Sequence, residues 1–175
     1  GRKIGYSVGG FEDALLATML GSAGVTLDQT TLINVNFALT PALMSGQVDA
    51  VIGTFRNVEV NQLALDGHPA RVFYPEEAGV PPYDELVLIA RRDHLDDPRL
   101  PRFLDGLEQA VLWLANHPEQ GWQAFIQGRA ELDDALNRKA WADTLPRLAH
   151  SPGALDARRY QRFAEYLKSR GLIKT

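Results

Sequence analysis

The chain has 175 residues, of which 45% are hydrophobic and 23% are charged, a composition ordinary for a globular protein. Its net charge of −4 argues against a nucleic-acid or anionic-membrane partner, because either would favour a clustered basic face. The absence of cysteine excludes a disulfide framework, a thiolate nucleophile and a cysteine-ligated metal or iron–sulfur centre.

The first half of the chain alternates between strand and helix patterns. The segment 3–7 (KIGYS) predicts a short strand that ends in a Gly9–Gly10 turn, and an apolar stripe at helical spacing follows from Phe11 to Ala23. Further strands are expected at 31–37, 49–53 and 70–74. Strictly alternating strands and helices favour a parallel sheet with right-handed crossovers.

Two shorter helices are expected between these strands. Thr40 followed by Pro41 is typical of an N-cap and a first helical residue, and that helix should end at Gly46. The segment 57–65 predicts another helix, closed by Gly67.

The character of the chain changes near Gly79. The segment 79–82 (GVPP) predicts a break, and 83–90 (YDELVLIA) predicts a long strand leaving it. Beyond Asp93 the spacing of apolar residues predicts only helices. Their many apolar groups have no strand to cover, so we expect these helices to pack on another lobe.

A set of motifs then carries a family resemblance. They are 3–6 (KIGY), 11–14 (FEDA), 35–53 (VNFALTPALMSGQVDAVIG), 55–59 (FRNVE), 61–63 (NQL) and 79–87 (GVPPYDELV). Together they resemble the periplasmic substrate-binding proteins of ABC transporters, in the branch that binds thiamine pyrimidine precursors. The segment 41–50 (PALMSGQVDA) is shared with nitrate, sulfonate and taurine binders, whereas 56–59 (RNVE) together with 79–86 (GVPPYDEL) points to the pyrimidine branch.

The resemblance implies an α/β fold of the periplasmic-binding-protein type (type II). Residues 1–80 would form the second, inserted lobe and 81–92 the hinge strand. Residues 93–175 would form C-terminal helices that pack on a first lobe, which we expect to lie outside this chain. An exchange-type dimer is expected if that lobe is truly missing.

The same resemblance implies capture of a small-molecule solute and its delivery to a membrane permease, without catalysis, cofactor or metal. The expected location is periplasmic or lipid-anchored on the outer side of the membrane.

Ligand contacts are expected where strands end, because open α/β sheets bind ligands at the carboxyl ends of their strands. Ser7, Gly9 and Gly10 lie at the first such junction, where glycines let backbone N–H groups approach a ligand acceptor. The alternative is a plain turn that needs positive φ.

Phe55 and Glu59 follow the third predicted strand. A flat aminopyrimidine calls for an aromatic ring to stack on and a carboxylate to accept from its amino group. Residues four apart at the start of a helix can face the same side. The alternative is a core phenylalanine and a solvated glutamate.

Tyr83 and Glu85 lie on the predicted hinge strand, where Tyr83 could stack on a ligand and Glu85 could accept a hydrogen bond. The alternative is a hinge whose charges are merely exposed. Asn36 and Thr40 are weaker candidates.

Other functions stay open on the sequence alone. A nitrate, sulfonate or taurine binder would want Arg, Ser and Thr in its cleft. A pyrimidine-synthesising enzyme of the same fold resembles the family too, but the eukaryotic form uses a cysteine-rich motif that this chain lacks. An effector domain of a transcription regulator is a further alternative, disfavoured by the long C-terminal helical region.

Overall fold

The computed structural model describes residues 1–174, which form two compact units. Unit 1 comprises Gly1–Tyr83 together with the C-terminal segment from Ala157 onward, and unit 2 comprises Asp84–Asp156.

The regular elements are three strands and seven α-helices among the described residues. The strands are β1 (Lys3–Tyr6), β2 (Thr31–Asn34) and β3 (Ala50–Val51). The helices are α1 (Phe11–Ser22), α2 (Leu39–Met44), α3 (Glu59–Leu65), α4 (Arg99–Asn116), α5 (Pro118–Ile126), α6 (Ala135–Thr144) and α7 (Ala157–Ser169). Short 3-10 helices lie at Leu27–Gln29, Pro75–Ala78, Arg92–His94, Ala130–Leu132 and Leu145–Arg147.

Unit 1 is built on a parallel sheet in the order β2-β1-β3. Lys3 of β1 lies opposite Thr31 of β2, and Ile4 lies opposite Ala50 of β3. Both neighbours of β1 run parallel to it, so α1 and α2 serve as the crossover connections that parallel strands require. The α/β class and the parallel sheet predicted for this half are confirmed.

Two apolar clusters hold unit 1 together. The first joins the end of β2 to α2 through buried Val35, Leu39, Ala42 and Val48. The second centres on Leu15 of α1, Val80 and Tyr166 of α7, with partly buried Phe11, Met19, Ile52, Tyr83, Phe163 and Leu167 around them. The chain therefore returns to unit 1 through α7, whereas the sequence groups this helix with the others that follow residue 93.

Unit 2 is helical among the residues described, as the apolar spacing beyond Asp93 predicts. Its core centres on Trp122 of α5, which is fully buried and packs against Phe125 and Trp141 with ring centroids 5.7 and 5.9 Å away. Gly121 lets α5 approach its neighbours, because a Cβ there would lie 2.4 Å from a methyl group of Leu114. Whether these helices pack on a further lobe stays a prediction.

Two predicted strands are wrong. Residues 70–74 and 83–90 form no strand, and neither pairs with β2 or β3, the edge strands of the sheet. In the second segment Leu86 and Ile89 are 86% and 91% exposed. Apolar and β-branched residues are a local signal, but a strand also needs a backbone partner elsewhere in the chain.

The remaining strands and short helices have tighter bounds than predicted. Strand β2 ends at Asn34, because Asn36 and Phe37 adopt positive φ angles of 46° and 65°. Helix α2 begins at Leu39 with Ala38 as its N-cap, so Thr40 lies inside the helix and does not cap it. Helix α3 begins at Glu59, two residues later than expected.

Candidate functional site

The carboxyl ends of β1, β2 and β3 lie at one edge of the sheet, because the three strands are parallel. Three loops leave this edge, at residues 7–10, 35–38 and 52–58, and we call it the carboxyl edge. Ser7, Gly9, Gly10, Phe55 and Glu59 all lie on or directly after these loops. The structure thus places five of the seven candidate residues at the expected edge, and their role in binding remains a prediction.

The loop after β1 is organised by carboxylates of α1. The N–H groups of Ser7 and Val8 donate to Oε2 of Glu12 over 2.8 and 3.1 Å. The N–H of Gly10 donates to Oδ2 of Asp13 over 3.0 Å, and Gly10 has a φ of +83°. The backbone N–H groups of Ser7 and Gly10 therefore donate within the protein, and the role of this loop in ligand binding stays a prediction.

Glu12 also connects this loop to the turn after β3. Its side chain is buried, with 7% of the residue exposed. A Cβ on Gly53 would lie only 2.3 Å from Oε1 of Glu12. A glutamate in the first turn of a helix is ordinarily explained by the helix dipole alone. Its position two residues after the Gly9–Gly10 turn is the signal that could have shown its structural role.

The loop after β2 holds two non-glycine residues in the left-handed region of backbone space. The N–H of Asn36 donates to Oδ1 of Asn34 over 2.9 Å, and the N–H of Phe37 donates to Oγ of Ser7 over 3.1 Å. Phe37 is 75% exposed. Ser7 therefore joins two of the three loops, a contact between residues 30 positions apart.

The loop after β3 brings Phe55 and Glu59 together, as their spacing predicts. The N–H of Phe55 donates to Oε2 of Glu59 over 2.8 Å, and Phe55 is 45% exposed. The carboxylate thus lies beside the backbone that carries the ring. It is held there by a hydrogen bond to a charged acceptor, which is stronger than one between neutral groups.

Arg56 lies between these two residues in the sequence, and its side chain contacts Glu76 and Tyr74. Its Nη2 lies 2.8 Å from Oε1 of Glu76, and its guanidinium carbon lies 4.2 Å from the centre of the Tyr74 ring. Desolvation raises the pKa of Glu76, but a backbone hydrogen bond and the Arg56 charge outweigh it, so this pKa lies below its usual value. Arg56 therefore fastens the loop after β3 to the 3-10 helix at Pro75–Ala78.

Tyr83 is the last residue of the first segment of unit 1 and packs in its core. Its ring stacks on Phe163 with centroids 4.4 Å apart and planes inclined by 11°, and it meets the edge of Phe11 at 6.1 Å. One face of its ring is therefore covered by Phe163, and its role in ligand binding stays a prediction. Glu85 is exposed and belongs to unit 2, and its role in binding stays a prediction.

Comparison with known proteins adds a family to this geometry. The model of a family described as NMT1/THI5 like matches residues 1–121. The chain belongs to this family. The NMT1/THI5-like match covers all of the loops at the carboxyl edge and ends within α5, and it confirms the family resemblance seen in the motifs.

Three relatives show what the family contains. A Haemophilus influenzae protein named "Putative thiamine biosynthesis protein" is 52% identical over 99% of this chain and 55% of its own length. A formylaminopyrimidine-binding protein of Halalkalibacterium halodurans is 30% identical over 83% of this chain and 44% of its own length. A 4-amino-5-hydroxymethyl-2-methylpyrimidine phosphate synthase of Schizosaccharomyces pombe is 22% identical over 99% of this chain and 53% of its own length. The chain spans about half the length of these curated relatives.

No group of three or more His, Asp or Glu side chains within residues 1–174 converges as metal ligands. In the same part of the chain, no helix combines the length and the apolar character needed to cross a membrane.

Proposed function

We propose that this protein is the solute-binding component of an ABC importer and captures an aminopyrimidine precursor of thiamine for uptake. The observation that carries the proposal is the pairing of Phe55 and Glu59 at the carboxyl edge. An aminopyrimidine is flat and carries an amino group, so an aromatic residue whose backbone N–H binds an acceptor carboxylate brings to one loop the two groups that these features need.

Glu59 is oriented before any ligand arrives. Oε2 already accepts the N–H of Phe55, so the carboxylate does not have to be ordered on binding. A carboxylate has about four lone-pair sites, so it can also accept from the exocyclic amino group. Preorganisation of this kind improves affinity because less conformational entropy is lost when the ligand binds.

Ser7 supplies the complementary hydrogen-bonding group. Its Oγ accepts the N–H of Phe37, which leaves the hydroxyl hydrogen able to donate to a ring nitrogen. The carboxyl edge then offers a donor on the loop after β1 and an acceptor on the loop after β3. The amino group and the ring nitrogen beside it in an aminopyrimidine need this combination.

Arg56 argues for a pyrimidine over an oxyanion. A nitrate or sulfonate site would need a guanidinium directed at the ligand. Arg56 is the arginine of the loop after β3, and its guanidinium contacts Glu76 and Tyr74. Its charge is thereby balanced within the protein.

The relatives' names support the same ligand class. The protein from Halalkalibacterium halodurans is named for binding a formylaminopyrimidine. Three further parts of the proposal rest on the family resemblance. They are the periplasmic-binding-protein fold, a permease as partner, and a location outside the cytoplasmic membrane. Capture would occur between two lobes that close around the solute.

Pyrimidine synthesis is the second candidate function, because two fungal relatives at 22% and 24% identity carry the name of a synthase. To distinguish binding from synthesis, the pyrimidine is recovered after long incubation with the full-length protein and its mass is determined by mass spectrometry. Recovery of an unchanged ligand supports binding without chemistry, whereas formation of a phosphorylated pyrimidine in a cell extract that supplies its carbon, nitrogen and phosphate, with no pyrimidine added, supports synthesis.

Calorimetric titration of the full-length protein tests the binding proposal. We expect tight binding of 4-amino-5-hydroxymethyl-2-methylpyrimidine or formylaminopyrimidine, and none of nitrate, taurine or an alkyl sulfonate. Glu59→Ala should weaken binding by about 10- to 100-fold, the size expected for a hydrogen bond to a charged group. The matched control is Glu77→Gln, an exposed glutamate of the same unit, which should bind as the wild type does. Binding of an anion without any pyrimidine response would contradict the proposal.

A further inference from the structure

Phe37 combines two properties that are unusual in one residue. It has a φ of +65°, a conformation that side chains other than glycine rarely adopt, and its ring is 75% exposed. Asn36 before it also has a positive φ, of 46°. Two consecutive residues of the loop after β2 are therefore in a costly backbone conformation.

The contacts within unit 1 do not explain why a phenylalanine occupies this position. An exposed ring contributes little apolar burial, so it does not offset the cost of its backbone. Glycine would adopt the same φ without strain. The conformation is instead fixed through the backbone, by the hydrogen bond from the N–H of Phe37 to Oγ of Ser7.

Phe37 and Phe55 follow strands that lie on opposite sides of β1. The strand order is β2-β1-β3, so the loops after β2 and β3 leave the sheet two strand spacings apart, about 10 Å. A flat ring sandwiched between two aromatic faces needs about 7 Å between those faces, twice the usual contact distance of carbon atoms. Two side chains that lean toward the middle strand from these loops can meet this requirement.

We propose that Phe37 is a second stacking residue, which contacts the face of the pyrimidine opposite to the one that Phe55 contacts. This inference rests on the proposed function and adds a specificity-determining residue to the same site. Ser7 then has a second role as a positioning residue, because its hydroxyl holds the backbone of Phe37. The ligand class becomes narrower: a planar heteroaromatic ring with both faces covered, which a tetrahedral sulfonate cannot imitate.

The test compares three substitutions at position 37 with a control in the full-length protein, using 4-amino-5-hydroxymethyl-2-methylpyrimidine and formylaminopyrimidine as probes. Phe37→Ala should weaken binding by about 10- to 100-fold, as the loss of one aromatic stack does for nucleic-acid bases. Phe37→Tyr keeps the ring and should bind within a few-fold of the wild type. Phe73→Ala removes another exposed phenylalanine of unit 1, 63% exposed, and should bind like the wild type.

Phe37→Gly separates binding from folding. It removes the ring and also the backbone strain, so we expect weak binding and an unfolding midpoint at or above that of the wild type. A purely structural residue would behave in the opposite way, with a lower midpoint in both Phe37→Ala and Phe37→Gly.

The possible outcomes are distinct. If Phe37→Ala binds the pyrimidines as tightly as the wild type does, this inference is overturned and the proposed function stands. Equal weakening in Phe37→Tyr and Phe37→Ala would also overturn it, because the ring would then not be the feature recognised. Failure of the wild type to bind either pyrimidine would overturn the proposed function, and this inference with it.

Discussion

At the scale of single residues, the contact between Glu12 and Gly53 connects two loops of the carboxyl edge. Gly53 has a φ of +91°, and an added Cβ would lie 2.3 Å from Oε1 of Glu12. The carboxylate cannot easily move aside, because Ser7 and Val8 donate to its other oxygen. We expect Gly53→Ala to lower the free energy of unfolding by about 2–4 kcal/mol, from backbone strain and overpacking together. Urea denaturation of the full-length protein measures this loss.

Gly46 provides the matched control for that substitution. Its φ is +73°, but no heavy atom lies within 4 Å of the position that a Cβ would take. Gly46→Ala should therefore cost only the backbone strain, about 1–2 kcal/mol. If both variants lose the same free energy of unfolding, the methyl group added at position 53 does not clash with the carboxylate of Glu12.

At the scale of elements, the ion pair between Arg56 and Glu76 holds the loop after β3 against the 3-10 helix at Pro75–Ala78. The pKa of Glu76 lies below its ordinary value of 4.5 in the folded protein. The pair therefore stabilises the fold above about pH 4.5, and this contribution is lost as the pH falls through the lowered folded value. Both side chains are about two-fifths exposed, so the expected size is below about 1 kcal/mol.

Comparison of the wild type with Glu76→Gln isolates this contribution. The difference between their unfolding free energies should be present near pH 6 and should shrink toward zero near pH 3. Glu77→Gln, one residue further along the same 3-10 helix, serves as the control. A difference that stays constant across this range would mean that the charge of Glu76 does not stabilise the loop.

The elements also show which parts of this structure a sequence can predict. Helices α1, α4, α5 and α7 follow from apolar residues at helical spacing, because the helix is a local structure with its hydrogen bonds inside one segment. The expected strands at 70–74 and 83–90 failed for the converse reason, since their pairing depends on distant residues. Parallel strands fix the edge at which their loops meet, so Ser7, Phe55 and Glu59 were placed there from the pattern alone.

The features of the carboxyl edge that the sequence does not predict depend on backbone conformation and on contacts between loops. The sequence predicts Phe37 at the end of a strand over 31–37, because nothing in the identity of this residue indicates a positive φ. The close approach of Glu12 to Gly53 cannot be predicted from the pattern, because it joins positions 41 residues apart. Tyr83 shows a further contact between distant positions: its ring stacks on Phe163, and its role in ligand binding stays a prediction.

At the scale of the whole molecule, α7 completes the core of a unit whose sheet lies at the other end of the chain. The hydroxyl of Tyr166 lies 2.7 Å from Oγ1 of Thr18, which is 148 residues away, and it donates to the carbonyl oxygen of Ala14 over 3.2 Å. Tyr166 is 8% exposed, so these bonds are formed away from most of the solvent.

Tyr166→Phe keeps the ring and removes the hydroxyl, so we expect it to lower the free energy of unfolding by about 1 kcal/mol. Tyr166→Ala also removes the buried ring and should lower that free energy by about 3–5 kcal/mol. Thr18→Val combined with Tyr166→Phe in a double-mutant cycle should give a coupling energy of about 0.5–1.5 kcal/mol.

Hydrogen exchange shows where in the structure the stability is lost. Because α7 packs on α1, amides of α1 should lose protection in Tyr166→Ala although the substitution lies in the last helix. Loss of protection confined to α7 would mean that this helix does not support the unit that carries the carboxyl edge.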